Sequence, residues 1–237
     1  MRLLGLIGGM SWESTAIYYR HLNELVRERL GGLHSARLLL WSVDFAEIAA
    51  LQHDGRWDAA GERLIEAARR LEAAGAAGLV LCTNTMHKLA EPLQAAVGIP
   101  LLHIADATGA AIRAVGRSRP ALLATRFTME QPFYAGRLRD RFGLDPLVPD
   151  EAGRAEIHRI IYEELCRGIV TDASRRGALR CIDRLRGQGA DGVILGCTEL
   201  TMLLGPDDVD LPLFDTTRVH AEAALRFMID GSVCAPP

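Results

Sequence analysis

No run of about 18 apolar residues occurs in the chain, so no membrane-spanning helix is expected. No charge of one sign dominates either. Against 27 Lys and Arg stand 30 Asp and Glu, a net charge of −3, with no basic tail. That leaves no electrostatic footprint for nucleic acid. Cysteine is sparse: Cys82, Cys166, Cys181, Cys197 and Cys234 make an odd count with no CxxC spacing. A disulfide framework and a structural zinc site are thereby disfavoured, and a reducing cytoplasm is the expected setting. Gly5-Leu6-Ile7-Gly8-Gly9 does not fit G-x-G-x-x-G, and no Walker pattern is present, which disfavours nucleotide binding. The apolar run Leu3 to Ile7 is too short for a signal peptide and reads as a first strand.

What is present is an ordinary folded composition. Hydrophobic residues make up 49% and charged residues 24% of 237 positions. That length suits one large α/β domain or two lobes of about 100 residues each. Short apolar runs alternate with amphipathic segments throughout. Strands are predicted at 3–7, 38–43, 78–81, 101–104, 121–124, 193–195 and 211–214, with helices between them and a last helix over 217–229. This alternation predicts parallel sheets covered by helices on both faces, with ligands bound beyond the carboxyl ends of the strands.

An internal repeat marks where to look. Arg70-Leu71 to Leu81 and Arg184-Leu185 to Leu195 match in Arg, Leu, Gly, Ala, Gly and the closing Leu, 114 residues apart. A weaker echo relates Leu6-Ile7 and Tyr18 to Leu122-Leu123 and Tyr134, 116 residues apart. Two matches at nearly one offset predict two similar lobes. Each copy ends in a Cys-Thr pair just past a buried strand: Cys82-Thr83-Asn84 and Cys197-Thr198-Glu199. If a pseudo-twofold axis relates the lobes, the two thiols meet across one cleft. One thiolate and one thiol then suffice to remove a proton from a stereocentre and deliver another from the opposite side. A strand-to-helix loop is expected to lower a thiol pKa. Backbone N–H groups of the two Cys-Thr loops, at helix N-termini, are expected to receive a substrate carboxylate. Gly8, Gly9 and Met10 form a third such loop.

The remaining candidates have plainer readings. Cys166 and Cys181 lie on predicted helices and read as structural, and Cys234 has no assigned role. His87 reads as a helix-surface residue, and Gln52-His53-Asp54-Gly55 as a polar loop open to a substrate role.

Gly8-Gly9-Met10-Ser11-Trp12-Glu13-Ser14-Thr15, Cys82-Thr83-Asn84-Thr85-Met86-His87-Lys88 and Gly196-Cys197-Thr198-Glu199 resemble the signatures of the aspartate/glutamate racemase family. The resemblance runs over nearly the whole chain and is nearest the broad-specificity amino-acid racemases. It implies two pseudo-symmetric Rossmann-like α/β lobes, each a mostly parallel sheet flanked by helices, with the active site in the cleft between them. It implies a first lobe of residues 1–100 plus 213–237, taking back the C-terminal helix, and a second of 101–212. It further implies a homodimer, a small amino-acid substrate, and racemisation without pyridoxal phosphate, other cofactor or metal. Cys82 and Cys197 become the catalytic pair. Met10, Gln52, Thr83, Asn84, Thr85, Thr198 and Glu199 become substrate contacts.

Departures from the family bear on the substrate. Peptidoglycan-type glutamate racemases hold an Asp-Ser pair in the first glycine loop and a His after the second Cys-Thr; here Gly9-Met10 and Glu199 stand there. Aspartate-specific relatives grip the side-chain carboxylate with an Arg and a Lys, where this chain has Gln52 and the Glu163-Glu164 pair. Acids there are expected to repel a second carboxylate, which favours neutral amino acids such as homoserine. Cys82 on the first side predicts action in both directions. Two other readings stay open at this point: a related hydantoin racemase, maleate isomerase or decarboxylase, and a non-catalytic two-lobed amino-acid-binding protein.

Overall fold

The computed structural model describes residues 1–233; Cys234 lies outside them. The chain forms two compact units, Met1–Ile104 with 220–233, and Ala105–Val219. Each is an α/β layer structure around a parallel sheet.

The first unit runs β1 (Leu4–Gly8), α1 (Trp12–Leu30), β2 (Leu38–Ser42), α2 (Phe45–His53), α3 (Trp57–Ala73), β3 (Gly78–Leu81), α4 (Ala90–Ala95) and β4 (Leu101–Leu102). The four strands are parallel in the order β2-β1-β3-β4. Strands β1 and β3 are buried on both faces, which is why they read as unbroken apolar runs rather than alternating ones. Alternation is still visible in what each side chain meets. Ile7, Leu79 and Leu81 pack against Leu64, Ala68 and Leu71 of α3 on one face. Leu4, Leu6, Val80 and Cys82 pack against Tyr18 and Leu22 of α1 on the other.

The second unit runs α5 (Ile104–Ala114), β5 (Ala121–Ala124), α6 (Arg126–Glu130), α7 (Pro132–Phe142), α8 (Glu151–Arg159), α9 (Asp172–Gly187), β6 (Val193–Gly196), β7 (Leu213–Asp215) and the start of α10 (Thr216–Asp230). Its three strands are parallel in the order β5-β6-β7. The sequence repeat is therefore also a repeat of topology. Strand β3 sits between β1 and β4 as β6 sits between β5 and β7.

Two boundaries differ from the sequence reading. Strand β7 pairs with β6, Val193 opposite Leu213 and Leu195 opposite Asp215, so 213–219 stays with the second unit. Strand β4 pairs with β3, which keeps 101–104 in the first. The hydrogen-bonded ladder decides both. From His220 onward α10 belongs to the first unit, where Ala221, Ala224, Phe227 and Met228 join the α1 face of the core. His220 anchors it there: Nε2–H donates to Leu102 O (2.8 Å), and Nδ1 pairs with the Tyr18 hydroxyl (2.8 Å).

Candidate functional site

In the first unit the candidate residues gather at the carboxyl ends of β1 and β3. These strands are neighbours, with Ile7 opposite Leu81, so the Gly8-Gly9-Met10 loop and the Cys82 loop emerge side by side. Gly9 has φ +92°, and a Cβ there would overlap the backbone of Val43. Its N–H donates to Thr15 Oγ1 (2.8 Å), whose hydroxyl donates back to Ser11 O (2.9 Å). Ser11 also caps α1 by accepting from Ser14 N–H. Met10 is turned inward and packs in the apolar cluster that holds Met86.

Cys82 is fully buried, and burial pushes its thiol well above the ordinary range. Thr83, Asn84 and Thr85 are buried beside it. A 3₁₀ turn, Thr85–Leu89, follows them. Gln52 lies in the last turn of α2, not in a loop, and is buried. Its amide Nε2–H donates to Met86 Sδ (2.8 Å), which ties it to the Cys82 segment. His87 is likewise buried rather than on a helix surface. Its Nδ1–H donates to Thr83 O (2.7 Å), and its Nε2 accepts from Ile104 N–H (3.2 Å). Both ring nitrogens are thus spent on backbone, in the neutral tautomer, and the ring holds the Cys82 loop in place.

The expected use of backbone amides needs correcting here. The Cys82 N–H donates to Ile7 O (2.9 Å) and the Thr83 N–H to Leu81 O (2.8 Å), so neither is presented to a ligand. A 3₁₀ turn of five residues also replaces the expected α-helix N-terminus.

In the second unit Cys197 stands just past β6 and opens a 3₁₀ turn, Thr198–Met202. Thr198 and Glu199 are both buried. The Cys197 Sγ–H donates to Glu199 Oε2 (2.9 Å). Burial first, and then the Glu199 carboxylate, push the Cys197 thiol well above its ordinary value. Both thiols are therefore raised where the sequence predicted lowering. The reason is physical: desolvation dominates at both thiols, and no cation acts on either to offset it.

Three neighbours of Cys197 were not picked out as site residues from sequence. Cys166 sits in the turn Leu165–Arg167, which packs on Thr198–Met202, and it raises the Cys197 thiol further. It thus stands beside the second thiol. Tyr162 lies in a π-helical turn, Ile160–Glu164, within the predicted helix 152–165. Its hydroxyl is pushed up by burial and then by Cys197, Cys166 and Glu199. Thr125 follows β5 as Gly9 follows β1, and is buried. The only signal for it was the weak echo at Leu122-Leu123. Glu164, by contrast, is engaged elsewhere. It accepts from Arg159 Nη1 (2.6 Å), Ser174 and Thr171, bonds that hold its carboxyl below the usual range. Glu163 is exposed.

Among the described residues no group of three or more His, Cys, Asp or Glu is placed to hold a metal ion, and no helix is long and apolar enough to cross a membrane. The structure thus groups the candidates into two sets. One is Met10, Gln52, Cys82, Thr83, Asn84 and Thr85; the other is Cys197, Thr198 and Glu199.

Comparison with known proteins places this arrangement. The Asp/Glu/hydantoin racemase family model matches residues 7–224. A Yersinia pestis protein, provisionally described as an Asp/Glu racemase, is 52% identical over 97% of this chain and 100% of its own, with a TM-score of 0.91. An aspartate racemase homologue of Pyrococcus horikoshii OT3 is 34% identical over 95% and 97%, with a TM-score of 0.82. The broad specificity amino-acid racemase RacX of Bacillus subtilis is 21% identical over 94% of this chain and 96% of its own. The chain belongs to the Asp/Glu/hydantoin racemase family, and its reaction class is that of an isomerase acting on amino acids.

Proposed function

We propose that this protein is a two-thiol amino-acid racemase, independent of pyridoxal phosphate and working as a homodimer. Cys82 serves one face of the substrate α-carbon and Cys197 the other. The observation that carries this reading is the doubled plan: each unit sets a cysteine, followed by threonine, at the carboxyl end of an inner strand of its sheet.

Glu199 gives the reaction a starting base. In the resting site both thiols are protonated, and the Cys197 S–H points at a carboxylate. Transfer of that proton leaves Cys197 as thiolate and Glu199 as acid. The thiolate takes the α-proton; the electron pair stays on the α-carbon as a carbanion. Cys82 S–H then delivers its proton to the opposite face and is left as thiolate. The reverse direction starts from Cys82, and solvent exchange resets the protons. Glu199 thus acts on the thiol rather than as a substrate contact. The side chains of Thr83, Asn84, Thr85 and Thr198 take the substrate carboxylate, since the Cys82 and Thr83 amides are already bonded. Met10 and Gln52 read the substrate side chain. Neither carries a positive charge, and Glu163-Glu164 supply none, so the favoured substrates are neutral amino acids, including hydroxyl-bearing ones such as homoserine.

The test is α-proton exchange in heavy water. Wild-type protein is expected to put deuterium on the α-carbon of either enantiomer of at least one amino acid in a panel spanning neutral and acidic side chains. Cys82→Ala and Cys197→Ala are each expected to lower racemisation by about 10²–10⁴-fold, with the circular dichroism spectrum kept. Exchange with no amino acid, or with hydantoins or maleate alone, overturns the reading.

A further inference from the structure

Cys197 does not stand alone at the end of β6. Cys166 lies in the 3₁₀ turn Leu165–Arg167, and Cys197 opens the 3₁₀ turn Thr198–Met202. These two turns pack on each other within the second unit. Tyr162 precedes Cys166 by four residues, about one helical turn, so the two share a face. The buried Tyr162 hydroxyl is raised by Cys197 and by Cys166, which sets both sulfurs near one phenol. Cys197 is in turn raised by Cys166.

No other pair of thiols among the described residues is arranged this way. Cys82 is raised by burial alone. Cys181 answers to Glu156, Arg184, Asp150 and Arg180 around α8 and α9, not to a thiol. All four described cysteines are reduced.

The pair is also placed to react. Glu199 Oε2 accepts the Cys197 S–H (2.9 Å), so a proton acceptor is at hand when that sulfur attacks. Cys166 is half-buried, which gives the pair a side that faces solvent. Both cysteines belong to one-turn segments rather than long helices, and left-handed Gly168 (φ 69°) ends the first. A disulfide needs Cα atoms within about 7 Å, a span that two packed turns of this kind reach by small backbone shifts.

We propose that Cys166 and Cys197 form an oxidation site, closed to a disulfide by hydrogen peroxide and reopened by a dithiol. Glu199 takes the Cys197 proton, and the thiolate attacks one peroxide oxygen. The O–O bond breaks. Cys197 becomes a sulfenic acid, and the other oxygen leaves as hydroxide and takes the proton from Glu199 to give water. The Cys166 sulfur then attacks the Cys197 sulfur. An S–S bond forms, the S–O bond breaks, and the departing hydroxide leaves with the Cys166 proton as a second water. The two thiols lose two electrons and two protons in all, and the peroxide is reduced by the same two electrons. A thiol as protonated as Cys197 attacks slowly, so the site answers sustained peroxide rather than a brief pulse. Once Cys197 is held in the bond, its face of the substrate has no base. That loss of turnover rests on the two-thiol reading; the bond itself does not.

Tryptic mass spectrometry of the peroxide-treated whole chain tests it. Cleavage after arginine and lysine leaves Cys82, Cys166, Cys181, Cys197 and Cys234 on different peptides, with Cys166 on 160–167 and Cys197 on 187–218. In wild type a linked 160–167/187–218 peptide is expected. Racemisation is expected to fall by about 10²-fold or more as the link forms, and dithiothreitol is expected to reverse both. In Cys166→Ser the link is expected to vanish, Cys197 to go on to the sulfinic acid, and dithiothreitol to restore nothing. Cys181→Ala is expected to keep the link. A wild-type chain that links Cys82 to Cys197, or that takes Cys197 to the sulfinic acid with no link, overturns the inference. A Cys166–Cys197 link with racemisation intact upholds the oxidation site and overturns the catalytic role of Cys197, so the two readings fail separately.

Discussion

At the scale of single residues, the two thiols reach a raised pKa by different routes. Cys82 sits among Leu4, Leu6, Val80 and Leu102 and is raised by burial alone. Cys197 is raised by burial and by a carboxylate that also accepts its proton. Only Cys197 has a base in hand, which makes Glu199 a residue whose charge and shape can be tested separately. Glu199→Gln keeps the size and removes the charge. Losing the carboxylate removes both the repulsion of the thiolate and the strong acceptor for S–H, so the Cys197 pKa must fall. The pH midpoint of Cys197 alkylation, followed by peptide mass spectrometry, is expected to drop by about one unit or more, the value of ~1.4 kcal/mol of charge interaction. Racemisation is expected to drop by about 10²–10⁴-fold because the resting thiol has lost its proton acceptor. Glu164→Gln is the matched control, since Glu164 bonds Arg159, Ser174 and Thr171. It is expected to leave the alkylation midpoint in place. An unmoved midpoint in Glu199→Gln would remove Glu199 from the thiol's surroundings.

At the scale of elements, the turn from β1 to α1 is set by backbone space. Gly9 combines φ +92° with a Cβ position already occupied by Val43 backbone. Gly143, the left-handed cap of α7 at φ 61° and ψ 30°, has no atom within 4 Å of its Cβ position. Gly143→Ala is therefore expected to cost about 1 kcal/mol, the left-handed penalty alone. Gly9→Ala is expected to cost about 3 kcal/mol or more, read as a lower urea midpoint, and to displace Met10. Equal costs would show that the β1–α1 turn has room to adjust. The sequence makes some of these elements plain and hides others for physical reasons. Strands β1, β3, β5 and β6 are legible because double-sided burial demands short apolar runs. The turns after Cys82 and Cys197 are not. A 3₁₀ turn of five residues leaves no periodicity to tell it from the first turn of an α-helix, so the sequence predicts an α-helix N-terminus where a 3₁₀ turn stands. The π-turn that carries Tyr162 is hidden for the same reason, and so is its place beside Cys197. Gln52 looked like a loop residue because His53-Asp54-Gly55 is polar, yet α2 runs through His53 and turns Gln52 inward to Met86.

At the scale of the whole molecule, the repeat read from Arg70 and Arg184 predicts two like units, and the strand that closes each copy, β3 or β6, lies inside its sheet. It could not foretell where β7 belongs, because that is fixed by a ladder with β6 and not by local pattern. Setting a cysteine at the end of an inner strand of each sheet also leaves a mark on the stability of the entire chain. The ordinary thiol value is 9.0, and Cys82 and Cys197 are both raised above it in the folded state. Below about pH 8 folded and unfolded chains both hold these protons, so the two groups add almost no pH dependence there. Above pH 9 the unfolded chain releases them first and binds fewer protons than the folded one, so stability falls as pH rises. Each thiol contributes a slope approaching about 1.4 kcal/mol per pH unit. Tyr134 and Tyr162, raised from an ordinary value of 10.0, add to the fall at higher pH. The urea midpoint is therefore expected to be nearly flat for these groups from pH 7 to 8 and to drop between pH 9 and 10.5. Cys82→Ala is expected to lose about 1 kcal/mol at neutral pH, the worth of a small buried group, and to show a shallower alkaline fall, by the share of one proton. Because Cys82 has no charged partner, that share reports burial alone, and a variant falling as steeply as wild type would mean that the Cys82 thiol ionises in the folded chain near its ordinary value.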